Sequence, residues 1–409
     1  MNDSTRIFYS ILDRYPAFRP DVGALWGHYL PAEGVFSDLC TIGSPPPSER
    51  DWGGGRAIIA EERSSRIRNQ LRGFVHDLVS LMGIRKGQYD AIQVRDKIFI
   101  CLPAMLIARR LGIPFFYWMS FPMAEAALVV AARLHPLKEA VRRTVLVFRG
   151  RVGGWVLYRT VLPRADHVFA QSDKMVADLR ARGVRPERMT AVPMCVDPER
   201  FAARQADLRE TGSNGVVVGY LGDCSRLRRV DVLFEALRLL RARGINVRLL
   251  IIGDAHEADD QAWLRARVAE SGVADAVTIT GWIAPERATE LLYGADLAVA
   301  LMAPDPILDS TTPTKLVEYL AMGLPVVANT HPDQSRVLNE SGAGLLTAFD
   351  PVAIADAIGM LAASPAMRQS MGALGPRYVS EHRNYRIMAR NLAALYRQML
   401  RPADAGGPA

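Results

Sequence analysis

Pro313 and Glu318 stand five positions apart in the segment DSTTPTKLVEYLAMGLPVVA (309–328), a spacing that suits the binding of a nucleoside diphosphate. Thr312 is placed to cap a helix that begins at Pro313, which leaves the N–H groups of Thr314, Lys315 and Leu316 aimed outward at an anion. Glu318 follows about one and a half turns later, where its carboxylate can accept hydrogen bonds from ribose hydroxyls. Gly323 and Pro325 then stop the helix, and LPVVA reads as a short buried strand. The plainer reading is an ordinary αβ unit whose glutamate faces water.

A second constellation follows the apolar run GVVVGYL (215–221). It reads Gly222, Asp223, Cys224, Ser225, Arg226, Leu227, Arg228, Arg229, with a helix from about Val230. A glycine directly after a strand lets the backbone approach a ligand, and arginines in the following turn can hold a diphosphate through paired hydrogen bonds. A basic loop with solvated arginines is the alternative. No Asp-x-Asp occurs, the His residues are dispersed, and Cys40, Cys101, Cys195 and Cys224 have no C-x-x-C spacing. Neither a metal site nor a disulfide framework is expected. Diphosphate charge then falls to Arg226, Arg228, Lys315 and the helix dipole.

These elements need a scaffold. A chain of 409 residues, 49% hydrophobic and 23% charged, can form two domains with real cores. In the second half, strand-like runs at 215–221, 246–252, 276–280, 296–301, 324–328 and 344–347 alternate with helical patterns, which calls for a doubly wound parallel sheet. The first half shows runs at 6–12, 91–94, 114–118 and 167–170 and is read as a second parallel α/β domain. The polar stretch 203–215 reads as the linker, giving domains at 1–204 and 205–384. A terminal helix is expected over 385–400, with a disordered tail at 401–409.

The net charge of +7 is concentrated rather than spread. Residues 133–164 hold eight basic side chains against one acid, Glu139, which argues against a nucleic-acid-binding surface. Within that segment Val141, Val145, Phe148, Val152 and Trp155 recur at helical spacing, with Arg142, Arg143, Arg149 and Arg151 off that line. A basic amphipathic helix of this kind can lie on an anionic membrane, Phe148 and Trp155 entering the interface and the four arginines meeting lipid phosphates. The alternative is a core-facing helix with a solvated back, and Gly150, Gly153 and Gly154 weaken any long helix. With no membrane-spanning run and no signal-peptide pattern at the start, the expected location is cytoplasmic, with peripheral contact at the inner face of the cell membrane. No pattern in the sequence sets an oligomeric state.

The order and spacing of several stretches over about 165–347 resemble the group 1, or family 4, glycosyltransferases of the GT-B fold. They are ADHVFAQSDKMVADLRARGVRPERMTAVPMCVDPERF, VVVGYLGDCSRLRRVDVLFEALRLL, VRLLIIGDA, VTITGWI, LLYGADLAVAL and PTKLVEYLAMGLPVVA. The resemblance implies two Rossmann-like domains facing each other across a cleft, with the terminal helix returning to the first. It also implies retaining transfer of a sugar from a nucleotide-sugar donor, UDP- or GDP-linked, to a glycan or lipid-linked acceptor, and the lack of a metal motif sets the expectation of transfer without a metal cofactor. Five Lys among fifty basic residues suit a GC-rich bacterial genome, and with it cell-surface polysaccharide or glycolipid synthesis on a polyprenyl-linked acceptor. Glu318 matches the motif glutamate that binds ribose, Arg226 or Arg228 the basic residues on the diphosphate, and Thr314 to Leu316 the backbone that caps it. Ile283 falls where backbone meets the base.

Departures accompany the matches. The glutamate usual eight positions before Glu318 is Ser310, so contact with the donor sugar passes to Ser310, Asp309 or another group. Met194 and Cys195 replace an Asn-Gly pair, and Val94-Arg95-Asp96 replaces a stretch that often holds a His. Asp96 is therefore a candidate for orienting the acceptor or the donor sugar, against the plainer reading of a surface Asp opening a helix. The expected mechanism is same-face attack, with the acceptor proton passing to the leaving phosphate and water excluded by closure. Alternatives are another GT-B-type enzyme, such as an epimerase or a soluble glycosyltransferase acting on a small metabolite, and a catalytically inactive GT-B-like partner protein.

Overall fold

The computed structural model describes residues 4–17, 19–44, 51–62, 66–197, 200–201 and 215–401. The expected linker and tail lie outside these residues except for Gly215 and Arg401. The chain divides into two compact units, Met1–Pro193 with Tyr385–Ala409, and Met194–Asn384. The second unit begins earlier than the composition shift near 204 suggests. Met194 is tied into it at both ends, its N–H donating to Thr312 Oγ1 at 2.9 Å and its carbonyl accepting from Arg383 at 3.3 Å.

The first unit is built on an eight-stranded sheet in the order β3-β4-β2-β1-β5-β6-β7-β8. Its strands are β1 (Thr5–Ile11), β2 (Val35–Gly43), β3 (Asp51–Trp52), β4 (Gly55–Glu61), β5 (Ala91–Arg95), β6 (Phe115–Met119), β7 (His167–Ala170) and β8 (Met189–Ala191). All pairs are parallel except the β3–β4 hairpin at one edge. β2 escapes a reading by apolar runs because it buries Ser37 and Asp38. Asp38 is satisfied by the Arg56 N–H at 3.0 Å and the Tyr89 hydroxyl at 2.7 Å, so a polar residue sits where pattern alone predicts an apolar one.

The helices of this unit begin with two short turns, α1 (Pro20–Gly23) and α2 (Leu30–Ala32), followed by α3 (Arg66–Met82), α4 (Cys101–Leu111) and α5 (Met123–Arg133). The basic segment is not one α-helix. It runs through α6 (Ala140–Phe148), a π-helical stretch Arg149–Gly153, α7 (Gly154–Val156), a second π-helical stretch Leu157–Val161 and a 3-10 turn Leu162–Arg164. Its glycines allow close packing: a Cβ on Gly150 would lie 2.4 Å from Leu128 Cγ on α5, and one on Gly153 2.8 Å from Ile98 Cγ2. α8 (Asp173–Ala181) follows, and the terminal helix α16 (Tyr385–Leu400) completes the unit. Tyr396 of α16 sits among Trp26, Phe116 and Phe169, with its hydroxyl donating to Gln93 Oε1 at 2.6 Å.

The second unit carries β9 (Val216–Leu221), β10 (Val247–Ile252), β11 (Val277–Ile279), β12 (Leu297–Ala300), β13 (Val326–Asn329) and β14 (Gly344–Thr347), all parallel. Each lies within, or one residue beyond, a run read from the sequence. The spatial order β11-β10-β9-β12-β13-β14 is that of a dinucleotide-binding sheet, with the direction of winding reversing between β9 and β12. Its helices are α9 (Asp231–Ala242), α10 (Ala258–Glu270), α11 (Pro285–Tyr293), α12 (Thr314–Ala321), α13 (Pro332–Ser341), α14 (Pro351–Ala363) and α15 (Pro365–His382). Two apolar clusters result, one including Leu233, Leu237 and Ile354, the other Leu292, Leu316 and Leu320.

α12 is held in place by a backbone-to-backbone approach to α15, since a Cβ on Gly375 would lie 2.5 Å from the Leu320 carbonyl oxygen. Gly375→Ala gains about 1 kcal/mol of helix propensity but forces two backbones apart, at about 1–3 kcal/mol or more. The expected outcome is a lower urea midpoint of unfolding; a midpoint equal to or above that of the unaltered protein contradicts this packing.

Candidate functional site

The winding reverses between β9 and β12, and open α/β sheets bind ligands outside the carboxyl ends of the strands at such a point. β9 delivers Gly222 to it, and the chain after β12 reaches α12. The helix begins one residue later than its sequence suggests. Pro313 is the N-cap and makes no side-chain cap bond, while the expected cap, Thr312, is buried and accepts from the Met194 N–H. The first N–H groups of α12, on Thr314, Lys315 and Leu316, therefore have no intrahelical acceptor.

Lys315 folds back across the end of β9. Its Nζ donates to the Tyr220 hydroxyl at 2.8 Å and lies 4.1 Å from the centroid of that ring. Gly222, at φ 125°, makes room for it: a Cβ there would lie 2.8 Å from Lys315 Cε and 2.9 Å from Nζ. The glycine thus admits a lysine side chain to the strand end. Burial pulls the Lys315 ammonium down to about 8, and the nearby Arg228 adds to the effect.

Arg228 is held by Asp223, Nε to Oδ2 at 3.3 Å. Burial pushes the Asp223 carboxyl up, but hydrogen bonds from Ser225 and the charge of Arg228 outweigh it and hold it below the usual carboxylate range. Arg226 goes elsewhere. Its Nε meets Asp260 Oδ1 at 3.0 Å, its NH2 donates to the Asp259 carbonyl at 3.1 Å, and its guanidinium lies 5.8 Å from the Trp263 ring, all on α10. Of the two arginines, only Arg228 stands in the field of Lys315.

Glu318 is partly buried on α12, and among the described residues its carboxylate makes no hydrogen bond or ion pair. Burial pushes its pKa up, against the fields of Arg200 and Lys315. A carboxylate in this position costs free energy unless a donor reaches it. Ser310 and Asp309 lie in a 3-10 turn, Leu308–Ser310, with Ser310 buried and Asp309 partly exposed. Ile283 is partly buried against the Leu316 cluster.

Three features of this face carry no apolar-run signal. Gly253, at φ 135°, ends β10 so close to β9 that a Cβ would lie 2.3 Å from the Gly222 carbonyl oxygen. Trp282 stacks on His256 with centroids 4.5 Å apart and an interplanar angle of 18°. Tyr220 orients Lys315 from within a strand, where an aromatic residue reads as core. The glycine after the apolar run LLII was the one available clue.

In the first unit, Asp96 lies at the carboxyl end of β5, where the strand order reverses between β1 and β5. It does not open a helix: α4 starts at Cys101. Asp96 is 4% exposed and adopts φ 56°, a left-handed conformation that costs about 1–3 kcal/mol for a residue other than glycine. The Ser120 N–H donates to Oδ1 at 2.8 Å, the Ser120 hydroxyl donates to Oδ2, and Arg95 Nε stands 3.5 Å away. Burial raises its pKa, opposed by Arg95 and Ser120. Arg95, fully buried, also meets Asp21 at 2.7 Å and Asp13 at 3.3 Å.

The expected membrane-contact residues divide. Val141, Phe148 and Trp155 are 70, 53 and 63% exposed, and Arg142, Arg143 and Arg151 are exposed beside them. Arg149 departs from this set. It is partly buried, and burial lowers its pKa, countered by Tyr117 and Asp96, so it faces inward. Among the described residues there is no metal-binding group of three His, Cys, Asp or Glu, and no helix is long and apolar enough to cross a membrane.

Known proteins share this architecture and its residue pattern. Residues 25–195 match the family model described as glycosyl transferase 4-like domain, and residues 215–364 the one described as glycosyl transferases group 1. The D-inositol 3-phosphate glycosyltransferase of Stackebrandtia nassauensis is 29% identical over 44% of this chain and 44% of its own length. The amylovoran biosynthesis glycosyltransferase AmsK of Erwinia amylovora is 25% identical over 65% of each. The chain thus spans about half to two thirds of these relatives. A glycosyltransferase from Rickettsia africae superposes with a TM-score of 0.72 at 14% identity, over 98% of this chain and 100% of that one. HepE of Anabaena, solved with UDP, superposes with a TM-score of 0.67 at 15% identity, over 96 and 99%. The chain belongs to the group 1, family 4-like glycosyltransferases, and its fold is GT-B.

Proposed function

We propose that the protein is a retaining glycosyltransferase that takes a sugar from a nucleoside-diphosphate donor held by the second unit. The observation that carries this is the pairing, on the one helix α12, of a first-turn ammonium and a carboxylate that has no hydrogen-bond or ion-pair partner among the described residues. The N–H groups of Thr314 to Leu316, Lys315 and Arg228 would hold the diphosphate, and Glu318 the ribose hydroxyls. Positive charge from these side chains suits transfer without a metal ion. Gly222 and Ile283 would border the nucleotide, and Asp309 and Ser310 the sugar. Arg226 is assigned no diphosphate contact, because α10 engages it.

The acceptor hydroxyl would attack the anomeric carbon on the face from which the diphosphate departs. The carbon–oxygen bond to the β-phosphate breaks, and the acceptor proton passes to that phosphate oxygen. Lys315, Arg228 and the α12 dipole would stabilise the charge that develops there. Asp96 would orient the acceptor from the first unit; a strained, buried carboxylate at a strand end is a common device for such a task. The exposed stripe of Val141, Val145, Phe148, Val152 and Trp155 beside Arg142, Arg143 and Arg151 supports a lipid-linked glycan acceptor at an anionic membrane.

Thermal-shift titration with UDP and GDP in the presence of EDTA tests the donor reading, since a ligand of the native state raises its apparent stability. A selective shift that survives EDTA is expected, and no shift with either nucleotide contradicts the reading. Hydrogen bonds to a charged group are each worth about 1.5–3 kcal/mol. Glu318→Gln should therefore weaken nucleotide binding about tenfold or more, whereas Glu290→Gln, exposed on α11, should leave it unchanged. Equal binding by the Glu318 variant would remove that residue from the ribose.

Lys315 supplies a pH signature. With a pKa of about 8 in the free protein, it is charged below pH 8 and loses its charge above. An adjacent diphosphate favours the charged form, so binding at pH 8.5 should take up a proton and affinity should fall as pH rises further. Calorimetry in two buffers of different ionisation enthalpy measures the uptake. It should vanish in Lys315→Met; uptake that persists there assigns the proton to another group.

A further inference from the structure

A cavity of about 490 Å³ opens on the first unit between α5, the helical path through Gly150 to Arg159, and the end of α8. Its wall includes Glu125, Leu128, Arg151, Trp155, Arg159 and Arg182. The single acid is already satisfied: Arg182 NH1 meets Glu125 Oε1 at 2.6 Å, and the Tyr158 hydroxyl donates to Oε2 at 2.9 Å. Arg182 also lies over the Tyr158 ring, 4.0 Å from its centroid. Arg151 and Arg159 are exposed and make no ion pair among the described residues, which leaves two uncompensated guanidinium groups at the rim.

The glycines make this shape. Gly150 and Gly154 bring the helical path against α5, since Cβ atoms there would meet Leu128 Cγ at 2.4 Å and Ala124 Cβ at 3.0 Å. Trp155 stands at the rim and is also the last member of the exposed apolar stripe that starts at Val141. An amphipathic ring of this kind sits at a bilayer interface, with its apolar body toward acyl chains and its N–H toward headgroups. A surface that presents Val141, Val145, Phe148 and Val152 to the acyl region would carry the cavity, one turn further along, at headgroup depth. Guanidinium groups recognise phosphate oxygens through paired hydrogen bonds.

We propose that this cavity is a binding site for the phosphodiester headgroup of an anionic membrane lipid, held by Arg151 and Arg159. The proposal deepens the membrane-facing reading of the same helical path and rests on it. Charge complementarity selects an anionic lipid over a zwitterionic one, whose choline ammonium meets a basic rim. The apolar stripe leading to the cavity selects a lipid over a soluble phosphate ester.

The test titrates the full-length protein, by calorimetry, with dihexanoylphosphatidylglycerol below its critical micelle concentration. Dihexanoylphosphatidylcholine and glycerol 3-phosphate serve as comparators. Saturable binding of the anionic lipid is expected, at least tenfold tighter than either comparator. Arg151→Glu with Arg159→Glu should weaken it at least tenfold, and Leu128→Trp should do the same by filling the cavity. Circular dichroism spectra and urea midpoints of unfolding equal to those of the unaltered protein report that these variants are folded. Arg142→Glu with Arg143→Glu, outside the cavity wall, should keep the short-chain binding while reducing sedimentation with phosphatidylglycerol vesicles. Absence of saturable binding, equal binding of the comparators, or indifference to the cavity substitutions overturns the proposal. Vesicle sedimentation that responds to Arg142 and Arg143 without short-chain binding overturns the cavity alone; an unaltered protein that never sediments with vesicles overturns the membrane reading as well.

Discussion

The pairing of β9 with β12 is the constraint on which the second unit's chemistry depends. Leu297 lies against Val218 and Ala298 against Gly219 in that parallel pair, and successive crossovers leave it in opposite directions. In open α/β sheets the ligand crevice lies outside the carboxyl ends of the strands at such a reversal. Gly219 lets α11 and the turn that leads into β12 pack close on the sheet, because a Cβ on it would lie 2.7 Å from Leu292 Cδ1 and 3.0 Å from Ala295 Cβ. The position of α12, and so of Lys315 and Glu318, follows from β12 and from the packing of α12 on α15.

Electrostatics at that crevice run against the usual rule that buried charges are paired. Lys315 spends one of its donors on Tyr220 and finds no carboxylate within ion-pair distance among the described residues. Glu318 spends none of its acceptors there. Both pKa shifts follow from burial first, which is a cost the folded protein bears without a bound partner. A diphosphate and a ribose would relieve both together, one through charge and the other through hydroxyl donors. The same logic distinguishes Arg228, held loosely by Asp223 at the crevice, from Arg226, whose carboxylate, carbonyl and ring contacts on α10 leave it little to gain.

The second sheet was legible because most of its strands are largely buried and appear as apolar runs, broken by exposed residues only at Arg248 in β10 and Thr278 in β11. The first sheet was half legible. β2 hides behind buried Ser37 and Asp38, β8 is three residues long, and the β3–β4 hairpin depends on pairing rather than apolar content. The helix that carries Lys315 and Glu318 could be read to within a residue because helix starts have a local signature. The N-cap could not be read correctly: Thr312 has the right chemistry, but its hydroxyl is claimed by Met194, 118 residues away in sequence. Long-range partners of that kind also separate Arg226 from Arg228 and turn Arg149 inward, and no local pattern encodes them. Asp96 stood out only as a departure from a resemblance, whereas its left-handed backbone is a property of the folded chain.

In the proposed function, α12 reads a nucleoside diphosphate with its first turn and the ribose with Glu318. A crystal structure of the protein with UDP tests it most directly. Phosphate oxygens are expected within hydrogen-bond distance of the Thr314 and Lys315 N–H groups and of Lys315 Nζ, with a ribose hydroxyl on the Glu318 carboxylate. Nucleotide bound away from the β9–β12 reversal, or ribose turned away from Glu318 with the phosphates off the helix start, would contradict it.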